Sequence, residues 1–169
     1  MKYSQKKLLN KIDLVVDKLM NLGAPDVKGD LSETANQEKG IIARDFGIQE
    51  WDWPQGVGLY GLIKLSEYYK DNRYDAFFKN WYQSNIEIGL PSKNVNTTAP
   101  YLPLFDLLDK LDNPLYEQMC KDRAEWLMKR LPRTDEGVFQ HVTSAIGDRL
   151  GVRLNENEMW IDTLFMTVL

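Results

Sequence analysis

The chain has 169 residues, room for one domain with a core that folds without staples. Its 21 Lys and Arg against 25 Asp and Glu give a net charge of -4, and no basic run occurs, which argues against nucleic acid or an anionic membrane surface as a partner. A single cysteine, Cys120, and a single histidine, His141, exclude an internal disulfide and a multi-histidine metal site, so neither metal nor cofactor is expected.

The N-terminal stretch Met1 to Val16 is charged and amphipathic and lacks the uninterrupted apolar core of a signal peptide. No segment is long and apolar enough to span a bilayer, and a soluble, cytoplasmic setting is the expectation. Five Trp, eight Tyr and six Phe serve a packed core or, near polar loops, a site for ring-shaped ligands.

Taken in chain order, the pattern is helical. From about Ser4 to Leu22, Leu8, Ile12, Val15, Val16 and Leu19 fall on one face, and Gly23-Ala24-Pro25 ends the helix. A polar loop from Asp26 to about Asp52 follows. A second helix starts at Trp53-Pro54, with Asp52 as cap and Pro54 in the first turn, and runs to Asp71-Asn72. Tyr74, Phe77, Phe78, Trp81, Tyr82 and Asn85 mark a third helix, closed by Gly89 and Pro91. A fourth follows Thr98 through Leu102, Phe105, Leu108 and Leu111, where Pro103 calls for a kink or a later start. A fifth opens at Asn113-Pro114, packs through Leu115, Met119, Trp126 and Leu127, and closes at Pro132. Val138 to Val142 alternates briefly and predicts a short extended piece. The sixth helix is the apolar run Met159 to Leu169, which has Asp162 near its first turn. The second, fourth and sixth helices are apolar on most sides, the others amphipathic, which suggests stacked antiparallel pairs in an inner and an outer layer.

Four polar patches precede or lead into inner helices: Trp51 to Gly56, Asn94 to Thr98, Gln140 to Thr143, and Glu158 to Asp162. With parallel inner helices they open at one end of the domain, where free N–H groups and dipole ends favour an anionic ligand such as a uronate. Plainer readings stand beside this one. Asp52, Asn96 and Thr98 also suit helix capping, Trp51 and Trp53 suit packing, and His141 suits a satisfied structural histidine. Asp162 is harder to assign to structure, because a carboxylate inside an apolar run is costly to ionise once buried. No nucleophile motif accompanies His141 or Cys120. Gly56, Gly58 and Gly61 match a dinucleotide-loop spacing, but no strand precedes them, and close helix packing is the better account.

At these patches the chain resembles glycoside hydrolase family 105, the unsaturated rhamnogalacturonyl hydrolases, and more distantly the family 88 unsaturated glucuronyl hydrolases. The matching pieces are Trp51-Asp52-Trp53-Pro54-Gln55-Gly56 through Leu62, Asn94-Val95-Asn96-Thr97-Thr98-Ala99-Pro100, Gly137 to Thr143, and Met159-Trp160-Ile161-Asp162-Thr163-Leu164-Phe165-Met166. The resemblance implies an all-α fold, an (α/α)6 barrel of helical hairpins. It covers only the first half, about three hairpins, so residues 1–169 are expected to be the N-terminal part of one such domain, truncated at the C-terminus.

The implied activity removes a terminal 4,5-unsaturated uronate from pectin-derived oligosaccharides, with Asp162 as the catalytic acid. Asp52, Trp53, Gln55, Gly56, His141 and one or both of Asn94 and Asn96 match positions lining the sugar site. Ordinary glycosidases need two carboxylates, whereas hydration of a vinyl ether needs one prominent acid, whose pKa burial would raise. The stretch Ser144 to Asn155 is longer than the family pattern and is expected to reshape the substrate-facing loop. Three alternatives stay open: a fragment of an enzyme, a non-catalytic sugar-binding or helical interaction module, and a half-barrel that self-associates through exposed edges.

Overall fold

The computed structural model describes residues 4–23, 47–145 and 148–168. Most of the expected polar loop after Pro25, with Ile41 and Ile42, lies outside these residues.

Helix α1 spans Gln5–Met20, and the Ser4 hydroxyl accepts from the Lys7 N–H at its start. Val16, Leu19 and Met20 reach the core, whereas Leu8 and Val15, expected on the same buried face, are more than half exposed. Helix α2 spans Trp53–Tyr69. Its boundaries follow local chemistry: Asp52 Oδ1 accepts from the Trp53 N–H at 2.8 Å, Pro54 occupies the first turn, and Lys70 closes the helix at φ 56°. Helix α3, Asp75–Ile88, buries Phe78, Trp81, Tyr82 and Asn85 at the i, i+3, i+4, i+7 spacing, and Gly89 ends it at φ 97°.

The expected fourth helix is interrupted. A 3-10 turn at Asn96–Thr98 precedes α4, Tyr101–Asp106, and α5, Leu108–Leu111, with the break at Leu107. Pro103 causes no kink. It sits in the first turn of α4, where its missing N–H has no intrahelical acceptor to lose. Helix α6, Pro114–Lys129, is capped by Asn113, whose side chain accepts from the Leu115 N–H at 3.0 Å. Leu115 is half exposed rather than packed; the buried residues of α6 are Tyr116 and Arg123.

The extended piece is displaced and longer than expected. Phe139 makes only an isolated bridge to Arg133, while β1, Val142–Ala145, pairs antiparallel with β2, Asp148–Leu154, with a register irregularity after Ser144. The long stretch after Ser144 is therefore a hairpin. Helix α7 spans only Asp162–Thr167, so Met159 to Ile161 precede it instead of lying within it.

Trp51 organises the main core. Its indole stacks on Trp81 at 5.2 Å and meets Tyr82 and Tyr101 edge-on at 5.7 and 5.2 Å. Its Nε1 donates to Thr97 O at 2.9 Å, and the Tyr82 hydroxyl donates to Pro100 O at 2.8 Å, so the aromatic core is tied to the turn before α4. Helix α2 lies directly against that turn and α4: a Cβ on Gly56 would stand 2.5 Å from the Ala99 carbonyl carbon. A second cluster, Val95, Ala99, Leu131, Val142 and Met166, joins the turn to β1 and α7.

Candidate active site

The turn, β1 and the segment before α7 are joined by hydrogen bonds that hold several of the expected site residues. Val95 N–H donates to Val142 O at 2.9 Å. Beside it, Asn96 Nδ2 donates to Thr143 Oγ1 at 3.0 Å and Asn94 Nδ2 to Ser144 Oγ at 2.9 Å. His141 N–H then donates to Glu158 O, and His141 O accepts from Asn155 N–H. Three of the four polar patches thus meet along β1, and Trp51 links the fourth to them through Thr97.

The two asparagines differ. Asn94 is fully enclosed, with Oδ1 accepting from Thr97 N–H and Nδ2 shared between Ser92 O and Ser144 Oγ, so its amide is used by the turn. Asn96 ties to β1 through Nδ2 alone among the bonds described for its side chain.

His141 is 4% exposed, and its imidazole lies flat on the indole of Trp160, centroids 4.2 Å apart and planes 7° from parallel. Its Nδ1 is buried without a hydrogen-bond partner. Burial pulls the imidazole below its ordinary value, while the carboxylates of Asp162 and then Glu158 act in the opposite sense. Glu158 also accepts from Trp160 Nε1 at 2.8 Å, which holds the indole against the histidine.

Asp162 departs from expectation. It is the first residue of α7 and is exposed, as are Trp160, Ile161 and Leu164 around it. The reason is geometric: with the helix starting at Asp162, the preceding apolar residues do not share a helical face, and the buried stripe reduces to Thr163 and Met166. The desolvation that the apolar run suggested is absent among the described residues. A carboxylate in the first turn of a helix is nonetheless favourably placed toward the helix dipole.

The first patch is divided. Asp52 is 4% exposed and caps α2, and Trp53 is 43% exposed beside it. Gln55 is buried with Nε2 donating to Gly47 O at 2.7 Å and Oε1 without a partner. Gly56 serves packing against Ala99 and Pro100, as its close approach requires. Of the other two glycines, Gly58 meets the Leu19 side chain and Gly61 faces open space, so the packing account holds for Gly56 and Gly58 but not for Gly61.

The sequence places Trp160 and Thr143 within the polar patches without giving either a role, and Arg123 is a residue that sequence reasoning passed over. Arg123 falls on the apolar stripe of α6, seven residues after Tyr116 and three before Trp126, where a charge is out of pattern. The largest groove described, about 630 Å³, is lined by Phe105, Leu108, Asp109, Asp112 and neighbours on α4 to α6 and contains neither Asp162 nor His141.

The comparisons with known proteins set the class. The chain belongs to glycosyl hydrolase family 88, whose family model matches residues 32–169. Among individual relatives, the unsaturated rhamnogalacturonyl hydrolase YesR of Bacillus subtilis (strain 168) is 29% identical over 127 residues, 75% of this chain and 36% of that protein. Two crystal structures described as possible members of the GH105 family superpose on 99% of this chain and 41% of theirs. They are those from Klebsiella pneumoniae subsp. pneumoniae MGH 78578 (28% identity, TM-score 0.75) and from Salmonella enterica subsp. enterica serovar Paratyphi A str. ATCC 9150 (31%, 0.76). The fold is therefore a partial helical barrel of that kind, and the chain spans about a third of the length of the curated relative it matches. No helix among the described residues is long and apolar enough to cross a membrane.

Proposed function

We propose that this chain carries the acid-bearing side of a site that removes a terminal 4,5-unsaturated uronate from pectin-derived oligosaccharides. The observation that carries the reading is the stack of His141 on Trp160, with the Asp162 carboxylate acting electrostatically on the imidazole and Asn96 bonded to Thr143 two residues along. The name of the B. subtilis relative supports the substrate class.

In this mechanism Asp162 gives a proton to C4 of the vinyl ether, and C5 takes up a water whose proton returns to the Asp162 carboxylate. The double bond is consumed, and a hemiketal forms at C5. The C5–ring-oxygen bond breaks as C5 becomes a ketone, which leaves a hydroxyl on C1; this C1 hemiacetal then collapses to an aldehyde and releases the aglycone as an alcohol. Asn96 rather than Asn94 is assigned to the sugar, since the Asn94 amide is taken up by the turn; Asp52, Trp53 and Gln55 line the approach. In this reading residues 1–169 are the N-terminal part of a single (α/α)6-barrel domain working in the cytoplasm.

The test is the ultraviolet absorbance of the unsaturated uronate, followed with an unsaturated uronyl-rhamnose disaccharide and with Asp162→Asn beside it. Loss of the band with the wild-type chain and not with the variant supports the reading. Binding without loss of the band favours a sugar-binding module, and near-normal turnover by Asp162→Asn removes Asp162 from the role. Light scattering that shows a dimer would favour self-association of half-barrels.

A further inference from the structure

Arg123 is 3% exposed in the middle of α6, and no ion pair engages it among the described residues. A buried guanidinium without a carboxylate is expensive, and replacing such a group by an apolar side chain is often neutral or stabilising. What it touches is specific. Its Nη1 donates toward Asn94 O at 3.4 Å, Thr97 Oγ1 at 3.3 Å and Thr98 Oγ1 at 3.2 Å, all on the turn before α4. Its planar group lies over the Tyr101 ring at 4.4 Å and nearer to it than to Trp126 at 5.6 Å. Nε is buried without a hydrogen-bond partner, a further cost of an arginine at this place.

The three acceptors belong to the turn that is also bonded to β1. Thr98 Oγ1 donates to Asn94 O, Thr97 Oγ1 donates to Ser92 O, and Asn94, Val95 and Asn96 each bond to β1. The chain of bonds runs from α6 through the turn to Val142, next to His141. All three contacts come from Nη1 while the flat guanidinium covers the Tyr101 ring; a lysine ammonium keeps donors for the turn but has no planar group to lay on that ring.

We propose that Arg123 is a positioning residue: it locks the Asn94–Thr98 turn onto β1 and thereby fixes Asn96 and His141 for the sugar. The link to sugar rests on the functional reading above; the lock itself does not. The Val95 N–H, bonded to Val142 O, reports on the lock directly.

The experiment compares wild type, Arg123→Met and Arg123→Lys by amide hydrogen exchange, thermal melting and calorimetric titration with the unsaturated uronyl-rhamnose disaccharide. Arg123→Met is expected to fold with an unchanged or higher Tm. Its Val95 amide should exchange at least about tenfold faster, with core amides such as Leu62 unaffected, and disaccharide affinity should drop by about tenfold. Arg123→Lys should fall between the two and carries the same comparison where the Met variant does not fold. Unchanged exchange at Val95 overturns the proposal, as does faster exchange with wild-type affinity. A wild-type chain that binds no disaccharide sinks the functional reading, and the exchange comparison still decides the lock.

Discussion

The imidazole of His141 and the indole of Trp160 are stacked at 4.2 Å, with Glu158 holding the indole by its Nε1. Desolvation in this stack lowers the histidine's proton affinity in the folded state, ahead of the opposing pull of Asp162 and Glu158. Between the lowered native value and the ordinary one, near 6.5, the unfolded chain binds more protons than the native one. Stability from this group is then full above the ordinary value and is lost as pH falls through the native value. Urea unfolding of wild type and His141→Gln across that range should show a wild-type advantage that shrinks toward acid. An advantage that grows toward acid would contradict the assignment.

Gly56 and Gly61 lie on one helix in opposite surroundings. A methyl at Gly56 meets Ala99 and Pro100 backbone at 2.5 to 2.7 Å, whereas nothing lies within 4 Å at Gly61. Gly56→Ala is expected to cost about 1–3 kcal/mol through overpacking. Gly61→Ala should stabilise by about 0.5–1 kcal/mol, because alanine loses less freedom in a helix. Chemical denaturation of the two variants checks the contrast.

Asp52 tests cap against site. Asp52→Ala should destabilise by about 1 kcal/mol, since the Trp53 N–H loses its acceptor. Asparagine caps as well, so Asp52→Asn should hold stability within about 0.5 kcal/mol. If Asp52 also meets the sugar, Asp52→Asn will lower disaccharide affinity while its melting curve overlays the wild type.

Cys120 is held as a structural thiol. Burial raises its pKa to about 11, so little thiolate forms at neutral pH. Ellman's reagent should modify it far more slowly in the native chain than in urea. Equal rates would show that α6 opens readily around it.

Much of the frame was readable from local chemistry. Asp52 with Pro54, Asn113 with Pro114, and Gly89 are start and stop signals whose action depends on a few neighbouring atoms, and each works as read. The break at Leu107 was not readable, because Leu102, Phe105, Leu108 and Leu111 keep a helical period across it. The β1–β2 hairpin went unread although Leu150, Val152 and Leu154 alternate along β2.

The site divides along the same line. The four patches were legible because polar residues cluster before helix starts, and the joining of the Asn94–Thr98 patch to β1 follows from hydrogen bonds of Asn94 and Asn96 to Ser144 and Thr143. The burial of Asp162 was misjudged because hydrophobicity around a residue does not say which faces are covered: Ile161 is 83% exposed. Arg123 escaped notice since charges on amphipathic helices usually face water, and only its place in the Tyr116–Trp126 stripe marks it.

The central claim is that Asp162 delivers a proton to C4 of an unsaturated uronate. Incubation of the chain with the unsaturated uronyl-rhamnose disaccharide in D2O, followed by NMR of the released keto acid, tests it most directly. Deuterium at C4 in the wild-type reaction, with no product from Asp162→Asn, is the expected result. Release of the sugar with the double bond intact, or deuterium incorporation that persists in Asp162→Asn, would contradict it.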